Sequence, residues 1–321
     1  MNPWIHWFIS DRSPVPLVPP RIPIQLEVYK NMWCSDTWQE YELIDAEGGE
    51  RLERWGEYIL VRPDPQVIWK GERRDPRWKQ AHGVYRRVGG GGKWVVNRMP
   101  EDWCIHYGRY TFRLRPMGFK HTGLFPEQAA NWDWTDGLIR RATAAGREIR
   151  VLNLFAYTGG ATVAASAAGA SVCHVDASRG MVQAAKDNMA LSGRGDAPCR
   201  YIVDDCRKFV EREIRRGSRY DGIIMDPPSY GRGPNGEVWK LEDCAGELIA
   251  LTTRVLSDNP LFFLINSYTT GLSPSTMEYL LCTALPRERR GSVLSGELGL
   301  HVSSTGLTLP CGGSVRMCWD A

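Results

Sequence analysis

Val151-Leu-Asn-Leu-Phe-Ala-Tyr-Thr-Gly-Gly160 is an apolar run that breaks into a small-residue turn and then into an alanine-rich stretch, Ala161 to Ala168. A strand, a tight turn and a helix in that order are how a doubly wound α/β domain brings its backbone close to a nucleotide-like ligand. Downstream, the apolar run Tyr220 to Met225 ends in Asp226-Pro-Pro-Ser-Tyr230, which puts a carboxylate and two prolines at the tip of a second strand. Both loops then fall at the carboxyl edge of one parallel sheet, where such folds hold their ligands. A ligand loop beside a polar loop predicts an enzyme.

From these two strands the pattern extends in both directions. Pro126-Glu-Gln opens a helix running to about Ala145, with Pro and an acid in its first turn. Strands are expected at 150–154, 171–175, 200–203, 221–225 and 260–265, and helices at 160–168, 178–191, 206–216, 241–257 and 273–284. Two late strands, near 292–298 and 314–319, complete the chain. Five βα units and two closing strands predict a doubly wound, seven-stranded, mostly parallel sheet over residues 119–321. Residues 39–118 carry short β-type runs such as Tyr58-Ile-Leu-Val-Arg62 and Trp94-Val-Val96, with Gly89 to Gly92 as a flexible turn between them. They predict a small β-rich domain, a candidate for substrate binding. Residues 1–38, rich in proline, read as an N-terminal tail rather than a signal peptide.

Apolar residues make up 43% and charged residues 24% of the 321, proportions of a soluble globular protein. No apolar run approaches the roughly 18 residues of a membrane helix, so no membrane association is expected. The nine cysteines include no C-x-x-C pair and the six histidines are scattered. Buried thiols in a reducing, cytoplasmic compartment fit better than disulfides, and no metal site is expected.

Net charge is +3, but it is unevenly distributed. Between Lys70 and Arg98, nine cations stand against Glu72 and Asp75, a local net of +7 that leaves about −4 for the rest of the chain. Trp69, Trp78, Tyr85 and Trp94 are interleaved with these cations. Cations for phosphates and flat rings for bases make this segment, Arg73, Arg74, Arg86 and Arg87 above all, a candidate RNA-binding surface. The competing reading is a solvated loop whose aromatic residues build a small β core.

The turn Phe155-Ala-Tyr-Thr-Gly-Gly160 lacks the second and third glycines of a G-x-G-x-x-G loop, which argues against a pyrophosphate. Asp176, 17 positions after Gly159, ends the second strand and suits a ribose diol; Asp205 ends the third, within reach of an adenine amino group. Each acid alone is also a plausible helix cap. Together with the turn and Asp226-Pro-Pro they describe an adenosine without a pyrophosphate, as in S-adenosyl-L-methionine.

The chain resembles the class I S-adenosylmethionine-dependent methyltransferases that modify large-subunit ribosomal RNA. The resemblance rests on Asn153-Leu-Phe-Ala-Tyr-Thr-Gly-Gly160, Val175-Asp-Ala-Ser178, Asp205, Asp226-Pro-Pro-Ser-Tyr230 and the upstream Gly118-Phe-Lys-His-Thr-Gly-Leu-Phe-Pro-Glu-Gln128. It covers roughly residues 118–321. It implies cofactor contacts from Lys120, Thr122, Phe125 and Gln128, from Asn153, Phe155, Ala156, Tyr157, Thr158 and Gly159, and from Asp176, Ala177, Ser178, Asp205 and Cys206. Asn153 stands where many methyltransferases carry an acid, and Tyr157 where many carry the first glycine.

Methyl transfer needs a nucleophile aligned behind the methyl group. The Asp226 carboxylate and the Pro227 carbonyl suit the orientation of an amine or ring N–H, Pro228 completes the loop, and Tyr230 is placed to stack on an extruded base. Cytosine C5 methylation requires a thiolate instead. Ser267 stands where the resembling enzymes of that type carry it, and Cys244 and Cys282 fall within predicted helices, so a non-covalent mechanism is expected. Lys240, after the Gly231–Gly236 stretch, is a candidate phosphate contact at the edge of a lid, and 306–313 is a second candidate substrate loop. An RNA methyltransferase, with ribosomal RNA as its target, ranks first. A methyltransferase of a small molecule or protein is the alternative, and a non-catalytic RNA-binding protein ranks third. Oligomeric state is not legible.

Overall fold

The computed structural model describes residues 32–88, 91–118, 120–232 and 238–319. Strand β1 (Met32–Cys34) precedes an antiparallel meander of β2 (Tyr41–Glu47), β3 (Glu50–Trp55) and β4 (Tyr58–Pro63). The β2–β3 connection is Gly48-Gly49, both at positive φ, as a two-residue hairpin turn demands. A short helix, α1 (Arg77–Gln80), leads into the hairpin β5 (Gly83–Val88) and β6 (Gly91–Asn97), and the five strands join in the order β2-β3-β4-β5-β6. A second hairpin, β7 (Trp103–Tyr107) and β8 (Tyr110–Leu114), stands apart from that sheet. Of the expected glycine turn, Gly91 and Gly92 are part of β6, while Gly89 and Gly90 lie outside the described residues.

After a single 3-10 turn at Pro126–Gln128, helix α2 (Ala129–Ala144) begins the alternating part. It continues as β9 (Arg150–Leu154), α3 (Gly160–Ala167), β10 (Ser171–Asp176), α4 (Arg179–Leu191), β11 (Cys199–Val203), α5 (Cys206–Arg215) and β12 (Gly222–Met225). A two-stranded ribbon, β13 (Tyr230–Arg232) and β14 (Val238–Lys240), precedes α6 (Leu241–Thr253), β15 (Phe262–Ser267), α7 (Pro274–Ala284), β16 (Ser292–His301) and β17 (Thr308–Cys318). The large sheet runs β1-β16-β17-β15-β12-β9-β10-β11, and only β17 is antiparallel to its neighbours. The seven strands expected from the sequence are all present. Met32–Cys34, inside the segment read as a tail, adds an eighth at the edge by pairing with Glu297–Gly299. Three residues are too few for a periodicity to register; what seats the strand is tertiary, with the Trp33 ring 4.0 Å from the Arg316 guanidinium.

The central strands are largely apolar, with Asn153, His174 and Asn266 as buried exceptions, because both of their faces are covered. Leu152, Leu154, Ile223, Met225, Phe263 and Ile265 point to one face and pack with Phe209 of α5, Leu248 of α6 and Met277 and Leu281 of α7. The alternate residues Val151, Val172, Ile224 and Leu264 point to the other face, against Leu138, Ile139 and Ala142 of α2 and Ala165 of α3. The N-terminal strands join a third cluster, in which Tyr41, Trp55, Leu60, Ile105 and Phe112 meet Trp132, Val163 and Met189.

A buried ion pair anchors this junction. Arg62 donates from Nε and Nη2 to both oxygens of Glu53, at 2.7 and 2.8 Å, while Tyr41 donates to Oε1 at 2.9 Å. Arg62 also donates to the Lys120 carbonyl at 3.0 Å, and Lys120 returns a bond to the Pro63 carbonyl at 3.1 Å. Burial opposes the Glu53 charge, but Arg62 beside it holds the carboxyl down at about 2 from an ordinary 4.5. The stability it contributes is therefore complete above about pH 4.5 and lost as pH falls towards 2. Removing one partner strands the other in the interior. Glu53→Gln is expected to cost about 3–5 kcal/mol in urea unfolding at pH 7, and to flatten the acid limb of the stability profile.

Candidate cofactor and acceptor site

Between β9 and α3 the chain turns through an energetically unusual path. Phe155 and Tyr157 have φ of 56° and 50°, the left-handed region that costs a non-glycine residue about 1–2 kcal/mol, and Gly159 follows at 83°. The path is held by donors and acceptors from neighbouring elements. Phe155 N donates to Cys206 Sγ at 3.3 Å, Ala156 N to the Val175 carbonyl at 3.1 Å, and Tyr157 N to Asp176 Oδ2 at 2.8 Å. The other Asp176 oxygen accepts from Ser178 N at 2.8 Å. Gly159 permits close packing on α4, since a Cβ there would lie 2.8 Å from that of Ala185. With Ala156, Tyr157 and Gly159 all donating within the protein, these amides are not a phosphate cradle.

The segment before α2 closes over this turn. Thr158 Oγ1 donates to the Gly123 carbonyl at 2.5 Å, Tyr157 Oη to Met117 Sδ at 3.3 Å, and the Phe125 ring lies 5.5 Å from that of Tyr157. Gln128 sits in a buried amide network: it donates to Tyr268 Oη at 2.9 Å and accepts from Asn131 and Asn266 at 3.0 and 3.3 Å. A cavity lies between these groups and the second loop, lined by Phe125, Gln128, Asn153, Phe155, Ala156, Tyr157, Thr158, Asp226 and Asn266.

Asp226 enters that cavity from the end of β12, adjacent to β9 in the sheet. Burial first, and the Glu127 carboxylate second, push its carboxyl up to about 7. Glu127 is itself buried and shifted upwards by burial, and its Oε2 has no hydrogen-bond partner among the described residues. Beyond Asp226, the Pro228 carbonyl accepts from the Trp239 indole at 2.7 Å and the Ser229 carbonyl from Leu241 N at 3.1 Å.

The structure thus gathers Phe125, Gln128, Asn153, Phe155, Ala156, Tyr157, Thr158 and Asp226 around one cavity. Asp176 stands at the tip of β10 with Ala177 and Ser178 exposed beside it, and Ser178 caps α4. Asp205 is exposed at the tip of the neighbouring β11 and caps α5, accepting from Lys208 N at 2.9 Å. Cys206 is buried under the turn, so its part is to support Phe155. Thr122 is buried off the cavity, and Lys120 is turned to the N-terminal sheet. Tyr230 is 53% exposed and, like Lys240 opposite it, lies on the outer face of the β13–β14 ribbon. Of the glycine-rich lid only Gly231 and Arg232 are described. Ser267 is buried, accepting from Thr269 N at 3.1 Å.

The basic segment is divided. Trp78 and Tyr85 are buried, so the aromatics there serve largely as β core. Arg73 and Arg86 both pair with Glu50, and Arg74 pairs with Glu72. Arg87 differs: it is exposed on the face of the β5–β6 hairpin that also carries Tyr85 and Trp94. Those two rings donate to the Gly118 and Met117 carbonyls at 3.3 and 2.9 Å, which fastens that face to the rim of the cavity. Sequence reading passed over Trp239, Tyr268, Asn266 and Glu127. Glu127 lay inside a motif already singled out, but nothing local marked it as the acid whose charge reaches Asp226, nor Tyr268 as the partner of Gln128.

The profile of the S-adenosylmethionine-dependent methyltransferase family matches residues 77–250. A ribosomal RNA large subunit methyltransferase K/L from Methylococcus capsulatus is 34% identical over 214 residues, 66% of this chain and 27% of that protein. Its counterpart in Shewanella frigidimarina is 33% identical over 167 residues, 51% of this chain and 22% of that protein. The chain therefore spans about a quarter of the length of these curated relatives. The crystal structure of an SAM-dependent methyltransferase from Agrobacterium tumefaciens aligns at a TM-score of 0.83 and 35% identity, over 90% of this chain and 93% of that one.

The geometry of the turn makes Gly159 sensitive. Gly159→Ala combines an unfavourable φ with a contact on Ala185 and is expected to destabilise the fold by about 1–3 kcal/mol, read as a lowered thermal midpoint.

Proposed function

The chain belongs to the S-adenosylmethionine-dependent methyltransferase family, and we propose that it methylates RNA, with ribosomal RNA as its target, by a non-covalent mechanism. The cofactor supplies an electrophilic methyl group on a cationic sulfonium. The residues present suit it: the amides of Phe155, Ala156, Tyr157 and Gly159 are already bonded within the protein, the carboxylates of Asp226, Asp176 and Asp205 follow β12, β10 and β11 at one edge of the sheet, with β9 and its turn between the first two, and aromatic rings line the cavity. Asp176, oriented by Tyr157 N and Ser178 N, is assigned to the ribose diol. Asp205 is assigned to the adenine side, and Phe125, Phe155 and Tyr157 to the walls.

On the acceptor side, Asp226 is the group that holds and orients the nucleophile, assisted by the Pro227 carbonyl. A carboxyl raised to about 7 accepts hydrogen bonds through both oxygens only above that pH. Positioning is then the main contribution of the loop to the rate. The observation that carries the RNA reading is Arg87, an exposed cation on the hairpin face fastened to the cavity rim; its charge is felt at Lys120, inside the cofactor-side segment. The names of the relatives agree with it. Pairing of Arg73 and Arg86 with Glu50 and of Arg74 with Glu72 within the chain favours the second reading, a small-molecule or protein acceptor.

Three experiments test these assignments. In calorimetry, Asp176→Ala should weaken cofactor binding about tenfold or more, through loss of a charge-assisted hydrogen bond worth roughly 1.5–3 kcal/mol. Single-turnover methylation should rise with pH through about 7 in the wild type. Asp226→Asn should lose that limb and at least about tenfold in rate, with cofactor affinity within a few-fold. Arg87→Ala should weaken binding of ribosomal RNA fragments and reduce the slope of log K against log salt by about 0.7–0.9, more than the Arg73→Ala/Arg86→Ala double variant does. Equal RNA binding by all variants across the salt range would favour the other acceptor classes.

A further inference from the structure

We infer that Trp239 is a positioning residue for methyl transfer, the side chain that fixes the acceptor loop and ties it to the cofactor turn. The inference rests on the methyl-transfer reading above and starts from a deficiency of the loop itself. Two consecutive prolines bring no N–H at positions 227 and 228, so the backbone there has no donor with which to anchor itself. Its fixed points must come from outside. On the upstream side Asp226 N reaches the Leu154 carbonyl at 3.4 Å, a long bond. On the downstream side the Trp239 indole donates to the Pro228 carbonyl at 2.7 Å, the shortest of the contacts described around the loop, and Leu241 N donates to the next carbonyl at 3.1 Å.

The ribbon explains how the indole arrives there. In the β13–β14 pairing, Tyr230 stands opposite Lys240, and Gly231 opposite Trp239. Successive side chains alternate between faces. Tyr230, Val238 and Lys240 are accordingly exposed on the outer face, while Trp239 turns inward and is half-buried. Its ring lies 6.1 Å from that of Phe155, a cavity-lining residue whose backbone is at positive φ. One side chain thus touches both halves of the site: by a hydrogen bond it sets the carbonyl beyond Asp226, and by ring contact it packs on the strained first residue of the cofactor turn. Trp239 is thus the ribbon aromatic in contact with the turn after β9, while Tyr230, two residues beyond the prolines, is exposed on the opposite face of the ribbon. With the Pro228 carbonyl taken by the indole, Asp226 and the Pro227 carbonyl are the loop groups left to orient the acceptor.

The two functions of the side chain separate in two variants. Trp239→Phe keeps a ring against Phe155 and removes the N–H; Trp239→Ala removes both. Trp239→Phe is expected to bind S-adenosyl-L-methionine within about twofold of wild type by calorimetry, and to lose about three- to tenfold in the single-turnover methylation rate on ribosomal RNA fragments, as expected for one neutral hydrogen bond. Trp239→Ala is expected to lose rate further and to bind the cofactor several-fold more weakly, with Trp239→Phe restoring the affinity. Such a split is not what a general loss of structure produces, and circular dichroism of both variants should match wild type. A wild-type rate in Trp239→Phe would overturn the positioning role, and unchanged cofactor affinity in Trp239→Ala would overturn the link to the turn. Failure of the RNA reading is distinguishable, because the wild type itself would then transfer no methyl group to RNA. The calorimetric arm needs no acceptor and decides the link in either case.

Discussion

The site depends on a carboxylate whose two oxygens are both engaged by backbone. Asp176 accepts from Tyr157 N and Ser178 N, and so joins the turn after β9 to the start of α4. Without it, Tyr157 would have little reason to stay at positive φ, a conformation that costs a non-glycine residue about 1–2 kcal/mol. The strain is met by a set of bonds that converge from different elements: Cys206 under Phe155, the Val175 carbonyl under Ala156, and Gly123 against Thr158. The product is a turn in which the amides of Phe155, Ala156, Tyr157 and Gly159 bond within the protein and whose open side is lined by rings. That is a surface for an adenosine and a sulfonium rather than for a pyrophosphate.

A second constraint lies in the N-terminal sheet. It encloses a small core of its own around Leu52, Val61 and Trp78, and it also braces the segment that covers the turn. The Arg62–Glu53 pair fastens the Lys120 carbonyl, and the hairpin rings Tyr85 and Trp94 fasten the carbonyls of Gly118 and Met117. Four of the nine cations that make 70–98 so basic on paper, Arg73, Arg74, Arg77 and Arg86, pair with Glu50, Glu72 and Asp75. A linear charge count overstates such a segment, because acids distant in sequence come into contact with it. Glu50, some twenty residues upstream, takes two of its arginines.

The Asp226-Pro-Pro loop shows the opposite economy. Two prolines make it stiff but remove its donors, so its position is set by residues that follow a ribbon rather than by its own backbone. Burial then raises the Asp226 carboxyl towards neutrality, and the Glu127 carboxylate raises it further. Stiffness, outside anchoring and a carboxyl poised near neutral pH combine in a loop of few residues.

The central sheet was legible from sequence because its signal is local and periodic: apolar runs buried on two faces, separated by capped helices, specify element type and order without reference to anything distant. The turn after β9 was legible because the left-handed backbone at its end calls for glycine, as at Gly159. Asp176, Asp205 and Asp226 were legible because they end strands whose order the alternation implies. Tertiary structure alone decided the rest. It placed β1 at the sheet edge, buried Trp78 and Tyr85, paired Arg73 and Arg86 with Glu50, turned Tyr230 outward and brought Trp239 to the proline loop. Each of these depends on which distant atoms meet, and contact between chain segments far apart in sequence leaves no periodicity for a single sequence to display.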